Sequence, residues 1–347
     1  MLKVKNLYMY PVKSCRGLEL NEATIANHGF AFDRQWMIVR EDFASYSEPA
    51  HTRIVTMRDV PTVILITPKL DLNEPVPGST QTAYERGGTL TLSHPKASDT
   101  VAVPFPCKGK SISFEVFGDP VQVVDCGDAA ALWLSAICGE SVRLVVNDYQ
   151  SCAPRVSTNT YGDDPILMPE AASKVTVRHC VPVGHQLPPP YSIRAQAAFA
   201  DAYPYLLVST GSMRDLNAHL AERVTQGKGD LSSVRPINFR PNIVVENEVA
   251  FEEDTWMAVK IGGSTIHVLS RATRCMATTV DPDTAQKTKD PLTTIQSYRR
   301  VEPNAKYEAC FGMWGVHEPE CVGNTIKVGD EIDVLKTGAH GKAPKKK

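Results

Sequence analysis

Alternation of apolar and polar positions dominates the first part of the chain. KVKNLYMYPV, LELNEATI and FDRQWMIV, between Lys3 and Val39, read as strands separated by turns at Gly17 and Gly29. Further strands are predicted at VPTVILIT (60–67), TLTLS (89–93), SISFEVFG (111–118) and VQVVDC (121–126). Asp128 stands where an N-cap is expected, before the Ala-rich run that ends near Ile137. This pattern predicts a β-barrel or curled sheet over 1–127 with one packed helix after it.

From Cys152 to Ala197 the pattern breaks. Pro154, Pro165, Pro169, Pro182 and Pro188 to Pro190 cannot continue a helix or a central strand, so 128–197 reads as a helix followed by a Pro-rich connection or surface excursion. A second β-rich unit is predicted over 198–336. It opens with the strand YPYLLVS and a helix beginning in a capping-box-like Ser212-Met-Arg-Asp215, with Met213, Leu216, Leu220 and Val224 at helical spacing. Strands at PNIVVE, WMAVKIGG, STIHVLS, CMATTV and TIKVGDEIDVL follow, and the Lys-rich tail over 337–347 is predicted to be disordered. The expected class is α+β, rich in β, with a few packed helices.

Composition narrows the function. A length of 347 residues allows two domains, and 37 Lys plus Arg against 39 Asp plus Glu leave a net charge of -2, which argues against a nucleic-acid-coating protein. The longest apolar helical run, Ala129 to Ile137, is about half a membrane span, so no transmembrane segment is predicted. The first residues show neither a secretory nor a transit pattern. With nine cysteines and no C-x-x-C, a reducing, cytoplasmic setting is expected, a peripheral mitochondrial one being the alternative. There is no G-x-G-x-x-G after a strand, no G-x-x-x-x-G-K-[ST], no G-x-S-x-G and no H-E-x-x-H, so dinucleotide, nucleoside-triphosphate, serine-hydrolase and zinc-protease signatures are all missing.

Three stretches place cations at turns: YPVKSCRG, FDRQW and NFRPN. Lys13 with Ser14 could converge on a phosphate, and Arg240 is held between a turn and the rigid Pro241 at the edge of a strand, a setting suited to bidentate phosphate recognition. Each of these taken singly also fits a solvated surface cation. Cys275, beside Arg274 at the start of an expected strand, is a candidate thiolate, though a lone cysteine there also fits a buried core position. A soft thiolate with no partner His or Cys suits a metal carried in by an organic cofactor.

YPVKSCRG, FDRQWMIV, FRPNIVVE, EEDTW, RCMATTVDPDT and NTIKVGDEI, in this order from about Lys3 to Leu335, resemble the MOSC family with its N-terminal β-barrel domain, in its amidoxime-reducing branch. The resemblance implies an N-terminal MOSC barrel, a C-terminal MOSC domain and a molybdenum cofactor, Mo-molybdopterin. Cys275 would ligate the metal as the catalytic centre, with Thr278 and Asp281 beside it, and Lys13, Ser14, Arg34, Ser209, Arg240, Asn242 and Thr279 would hold the cofactor. Ala272-Thr-Arg-Cys275 stands where the family often reads C-S-R-C, and the Pro-rich excursion is longer than in the animal proteins. The activity implied is reduction of N-hydroxylated compounds (amidoximes, N-hydroxyguanidines, hydroxylamines) by oxygen-atom transfer to molybdenum. Electrons would come through a b5-type cytochrome and an NADH-dependent flavin reductase. The alternative is a MOSC-type cofactor carrier or sulfur-transfer protein, which would need a pyridoxal-phosphate desulfurase that this chain is too short to contain. A third reading is a β-barrel interaction protein with no cofactor.

Overall fold

The structure is a computed structural model that describes residues 1–42, 53–75, 81–116, 119–148, 156–157, 195–196, 198–302 and 305–340. Most of the Pro-rich excursion and the Lys-rich tail after 340 lie outside the described residues. The fold is β-rich, with curled sheets and few helices. Its largest sheet has eight strands in the order β2 (Leu18–Leu20), β1 (Lys3–Met9), β15 (Ile243–Glu246), β14 (Tyr205–Ser209), β18 (Cys310–His317), β17 (Ser264–Thr273), β16 (Trp256–Ile261) and β20 (Ile332–Thr337). The neighbours are antiparallel except β14 and β15, which run parallel and are joined across helix Thr210–Thr225, as a parallel crossover requires. The first strand of the chain is therefore hydrogen-bonded to a strand near residue 245, with Leu7 opposite Ile243.

One face of this sheet packs on a core built from Leu7, Phe30, Tyr205, Trp256, Ile266 and Met313, closed by the sheet of β19 (Thr325–Lys327), β3 (Glu22–Ala26) and β4 (Gly29–Phe30). Gly312 sits at φ +80 with Leu207 O only 2.7 Å from where a Cβ would stand, so only glycine lets β18 approach β14 this closely. A second core lies around Trp36, Ile38, Phe105, Val124, Leu134 and Leu144. It is enclosed by β5 (Trp36–Arg40), β11 (Val142–Asn147), β10 (Asp119–Asp125) and β9 (Ser111–Val116), and by the sheet of β6 (Thr67–Leu72), β7 (Gly88–Ser93) and β8 (Val101–Phe105). WMIV in β5 is a continuous apolar run because Trp36 and Ile38 enter this core while Met37 and Val39 enter a third, with Phe114 and Phe199. A short antiparallel pair, β12 (Val156–Ser157) and β13 (Ala195–Gln196), brackets the excursion.

Among the described residues the α-helices are α1 (Ala83–Arg86), α2 (Asp128–Cys138), α3 (Thr210–Thr225) and α4 (Leu292–Tyr298). Four local expectations are corrected. VPTVILIT begins as a 3-10 helix, Pro61–Leu65, because Pro61 opens a turn and Val63, Ile64 and Leu65 are buried in succession; extended chain starts at Thr67. Gly127, at φ 96, occupies the N-cap position of α2, while Asp128 is its first residue and pairs with Arg143 at 2.8 Å. The cap of α3 is Ser209, whose hydroxyl accepts from Ser212 N at 3.1 Å, and not Ser212. CMATTV is no strand: β17 ends at Thr273 and Met276–Thr279 forms a 3-10 turn, since Thr278 and Thr279 each donate their hydroxyl to a carbonyl three residues back, at 2.9 and 2.8 Å.

Two histidines sit where their charged forms are disfavoured. His317, 5% exposed and 3.2 Å from Tyr205 Oη through Nδ1, is pushed down to about 4 by burial, and His28 is pushed down to about 4 by burial and then by His317. Their folded pKa values lie below the unfolded value near 6.5, so the unfolded chain binds protons first. Their stabilisation is present above pH 6.5 and is lost as pH falls towards 4, at up to about 3 kcal/mol for His317. Denaturant titrations at pH 7 and 4.5 should therefore show a smaller loss in His317→Gln than in the wild type; equal losses would place the acid sensitivity elsewhere.

Candidate functional site

The turn after β1 and the turn before β5 are zipped together by main chain. Lys13 N donates to Trp36 O (2.8 Å), Trp36 N to Pro11 O (3.0 Å) and Arg34 N to Tyr10 O (2.7 Å), while Tyr10 N donates to Asp33 Oδ1 (2.8 Å). The Tyr10 ring is fully buried, and two guanidinium groups lie on it: Arg34 at 4.6 Å from the centroid and Arg240 at 4.2 Å. Arg34 is anchored on every side. It is ion-paired with Asp33 and donates to Asn242 Oδ1 (3.0 Å) and Arg240 O (3.1 Å). Burial works against its charge, but the Asp33 carboxylate, together with Tyr10 and Asp201, outweighs this and holds it above the usual arginine value.

Among the described residues no carboxylate is ion-paired with Arg240, and Asp33 acts on it only weakly. Burial pulls it down to about 10, with the Arg34 charge acting in the same direction against the favourable Tyr10. Its Nη1 donates to Cys15 O at 2.5 Å, whereas Nη2 is buried with no hydrogen-bond partner among the described residues. An unpaired donor on a cation with its tip buried is an exception that a bound anion would satisfy. Lys13, buried, donates to Phe199 O (2.8 Å) and pairs with Asp201. The surrounding protein works against the Asp201 charge, but Lys13, then Arg34 and Arg58, outweigh it and hold the carboxyl well below its usual range, although its side chain is 69% accessible.

Cys275 follows β17 on an abutting turn and is the exposed one among the described cysteines, in contrast to a buried core position. Arg274 beside it is fixed against the Arg240 segment: Nη2 donates to Phe239 O at 2.8 Å and the guanidinium lies 5.5 Å from the Phe239 ring, while buried Nε has no partner among the described residues. Arg16 ties the other end of the loop to the Lys13 turn, donating to Asp283 Oδ1 (3.1 Å) and Pro282 O (2.7 Å). Lys13, Ser14, Arg34, Arg240, Asn242 and the Arg274–Cys275 turn thus meet on four tied segments. Ser14, Phe32, Arg34 and Arg240, with φ of 68, 67, 50 and 57, hold left-handed backbone on these segments, the kind of strain that clusters where geometry is over-determined.

The other expected residues are engaged differently. Asn242 is buried and holds the Arg240 segment in place, accepting from Arg34 and from Leu206 N (3.3 Å) and donating to Tyr8 O (3.3 Å). Thr278 and Thr279 spend their hydroxyls on their own turn, and Asp281 Oδ1 accepts from Asp283 N, Thr284 N and Thr284 Oγ1. Ser209 is not brought to the cation cluster by any contact of its side chain. It caps α3 and donates to the buried Glu253 (2.9 Å), whose carboxyl burial pushes up against the hydrogen bonds from Ser212 and Ser209. Sequence reading missed Tyr10, Asp33, Arg274 and Asp201 as parts of the site. The first three lie inside quoted motifs, but nothing in FADAYPY marks Asp201 as a partner of Lys13.

An exposed thiol locked beside buried guanidinium groups with unpartnered N–H donors fits a soft metal held by an anionic organic cofactor. Residues 1–141 match the MOSC N-terminal beta barrel domain and residues 194–333 match the MOSC domain. The human mitochondrial amidoxime reducing component 2 is 30% identical over 341 residues, 95% of this chain and 82% of its own. The chain belongs to the MOSC family. Mouse mitochondrial amidoxime-reducing component 1 is 29% identical over 342 residues, 96% of this MOSC chain and 82% of its own. Human molybdenum cofactor sulfurase is 25% identical over 346 residues, 97% of this chain but 33% of its own. MOSC membership associates the chain with the molybdenum cofactor. Among the described residues no helix is long and apolar enough to cross a membrane.

Ser209→Ala should lower stability by roughly 1–3 kcal/mol, since it removes a helix cap and a donor to a buried carboxyl. Chemical denaturation measures this, and a shift below a few tenths of a kcal/mol would show that Ser212 alone satisfies Glu253.

Proposed function

We propose that this chain is a molybdenum-cofactor-dependent reductase of N-hydroxylated compounds: amidoximes, N-hydroxyguanidines and hydroxylamines. The observation that carries the reading is the exposed Cys275 thiol on a turn that Arg274 ties to the segment bearing Arg240 and that Arg16 ties to the turn bearing Lys13. The Cys275 thiolate would ligate the metal. Arg240 and Arg274, with their spare N–H donors, and Lys13, with Ser14 beside it, would hold the cofactor phosphate. Arg34 and Asn242 fix the Arg240 backbone from behind. Thr278, Thr279 and Asp281 set the shape of the loop that presents Cys275. When bound, the cofactor supplies the two-electron redox chemistry that removes oxygen from an N–O bond. Met276, 62% exposed next to Cys275, offers an apolar rim for the organic part of a substrate. The Asp201 carboxylate, kept ionised by Lys13, sets the local charge that an incoming phosphate would meet.

The missing dinucleotide signature supports external electron donors, a b5-type cytochrome fed by an NADH-dependent flavin reductase. A cofactor carrier is the second reading, favoured by the match to molybdenum cofactor sulfurase along 97% of this chain. Purified protein should contain molybdenum and pterin, and should reduce benzamidoxime with a one-electron donor or with the cytochrome and its reductase, but not with NADH alone. Cofactor-replete protein that never turns over would favour the carrier.

Two substitutions separate the roles. Cys275→Ser should remove at least 99% of the activity, on the order of a hundredfold loss, in a folded chain, because a harder oxygen ligand of nearly the same volume replaces sulfur. Arg240→Ala should lower molybdenum and pterin content roughly tenfold or more, as expected for a lost charge-assisted contact. Wild-type cofactor content in Arg240→Ala would make Arg240 purely structural.

A further inference from the structure

Cys107 and Cys126, outside the cation cluster, are the one thiol–thiol contact among the described residues, with their sulfurs 3.5 Å apart. Cys107 follows β8 at the end of the three-stranded sheet, and Cys126 follows β10 of the four-stranded sheet, where its N–H donates to Leu144 O at 2.9 Å. The two sheets close over the core of Trp36, Phe105, Val124 and Leu144, so a bond between the sulfurs would clamp one sheet to the other. Both cysteines are partly exposed, whereas Cys15, Cys310 and Cys321 are buried. No group of three or more His, Cys, Asp or Glu that could hold a metal occurs among the described residues.

We propose that Cys107 and Cys126 are a reversible redox pair that closes to an intramolecular disulfide on exposure to a peroxide. Closure from 3.5 Å to the roughly 2.05 Å of a disulfide moves the sulfurs by about 1.5 Å. The environments differ in the sense that the chemistry needs. The Cys126 thiol beside it lowers Cys107 from its usual range against the effect of burial, while Cys126 is pushed well above its own by the same contact and by burial. Cys107, whose sulfur also makes an exposed contact to Pro104 O at 3.4 Å, is the thiol a peroxide reaches first, and Cys126 beside it resolves the intermediate. The Cys107 sulfur attacks one peroxide oxygen; the S–O bond forms as the O–O bond breaks, leaving a sulfenic acid and one water. The Cys126 sulfur then attacks the Cys107 sulfur; the S–S bond forms as the S–O bond breaks, and a second water leaves. Two thiols lose two electrons and two protons, hydrogen peroxide accepts both, and an external dithiol reverses the reaction by exchange.

The test uses the full chain treated with hydrogen peroxide, alkylated with N-ethylmaleimide, digested without reduction and mapped by mass spectrometry. A Cys107–Cys126 linked peptide pair, two hydrogens lighter than its reduced halves and lost on dithiothreitol treatment, is expected, with alkylation of both cysteines falling several-fold. In Cys107→Ser the Cys126 thiol should stay alkylatable, and in Cys126→Ser a dimedone adduct should appear on Cys107. Undiminished alkylation of Cys107 and Cys126 in wild type while Cys275 is oxidised, or linkage found between molecules only, would overturn the proposal. Wild-type mapping decides it even if Cys126→Ser fails to fold.

Discussion

Arg34 and Arg240 lie on one buried tyrosine ring, and much of the site follows from how these two like charges are kept together. Burying two guanidinium groups side by side is unfavourable unless each finds compensation. Arg34 finds it in Asp33, its neighbour in sequence, and in Asn242 and Arg240 carbonyl groups. Arg240 finds part of it in the Tyr10 ring and the Cys15 carbonyl, and keeps a donor to spare. The ring of Tyr10 serves both cations because its hydroxyl is committed to Pro241 O at 3.1 Å, which also fixes the segment that presents Arg240.

The same arrangement accounts for the backbone. Ser14, Phe32, Arg34 and Arg240 stand at positive φ, a conformation that costs a residue with a Cβ roughly 1–2 kcal/mol. The sheets around them supply the restraint: β1 pairs with β15, so the turn after Met9 and the turn before Ile243 leave adjacent strands at the same edge of the barrel-like sheet. The site is thus set where the start of the chain meets its second half, and each side contributes cations that the other side orients. The Cys275 turn is held by Arg274 from one direction and by Arg16 from the other.

The redox pair lies in a different part of the same scaffold. Phe105, two residues before Cys107, packs on Trp36 at 5.4 Å, and Trp36 O accepts from Lys13 N. The packed core therefore connects the two sheets that Cys107 and Cys126 would clamp with the turn that carries Lys13.

The sequence by itself determined the β-rich class, most strands and the helix that starts at Asp128, and it named the candidate residues around Lys13, Arg34, Arg240 and Cys275, because alternation, turn residues and short motifs are local features of the chain. Local signals also misled where a tertiary contact won. Val63 to Leu65 are apolar enough for a strand but are buried as a 3-10 turn, and CMATTV folds on its own threonine hydroxyls. Which cations are anchored by other residues and which keep an unpartnered donor could not be read from type or spacing. Arg34 and Arg240 look alike in sequence, and only the placement of Asp33, Asn242 and Cys15 around them separates the anchored guanidinium from the one with a free donor. Asp201 as the partner of Lys13, 188 residues away, and the meeting of Cys107 with Cys126 across two sheets, belong to the tertiary structure alone. Pairing between residues so distant along the chain is set by strand register and core packing, which no local pattern encodes.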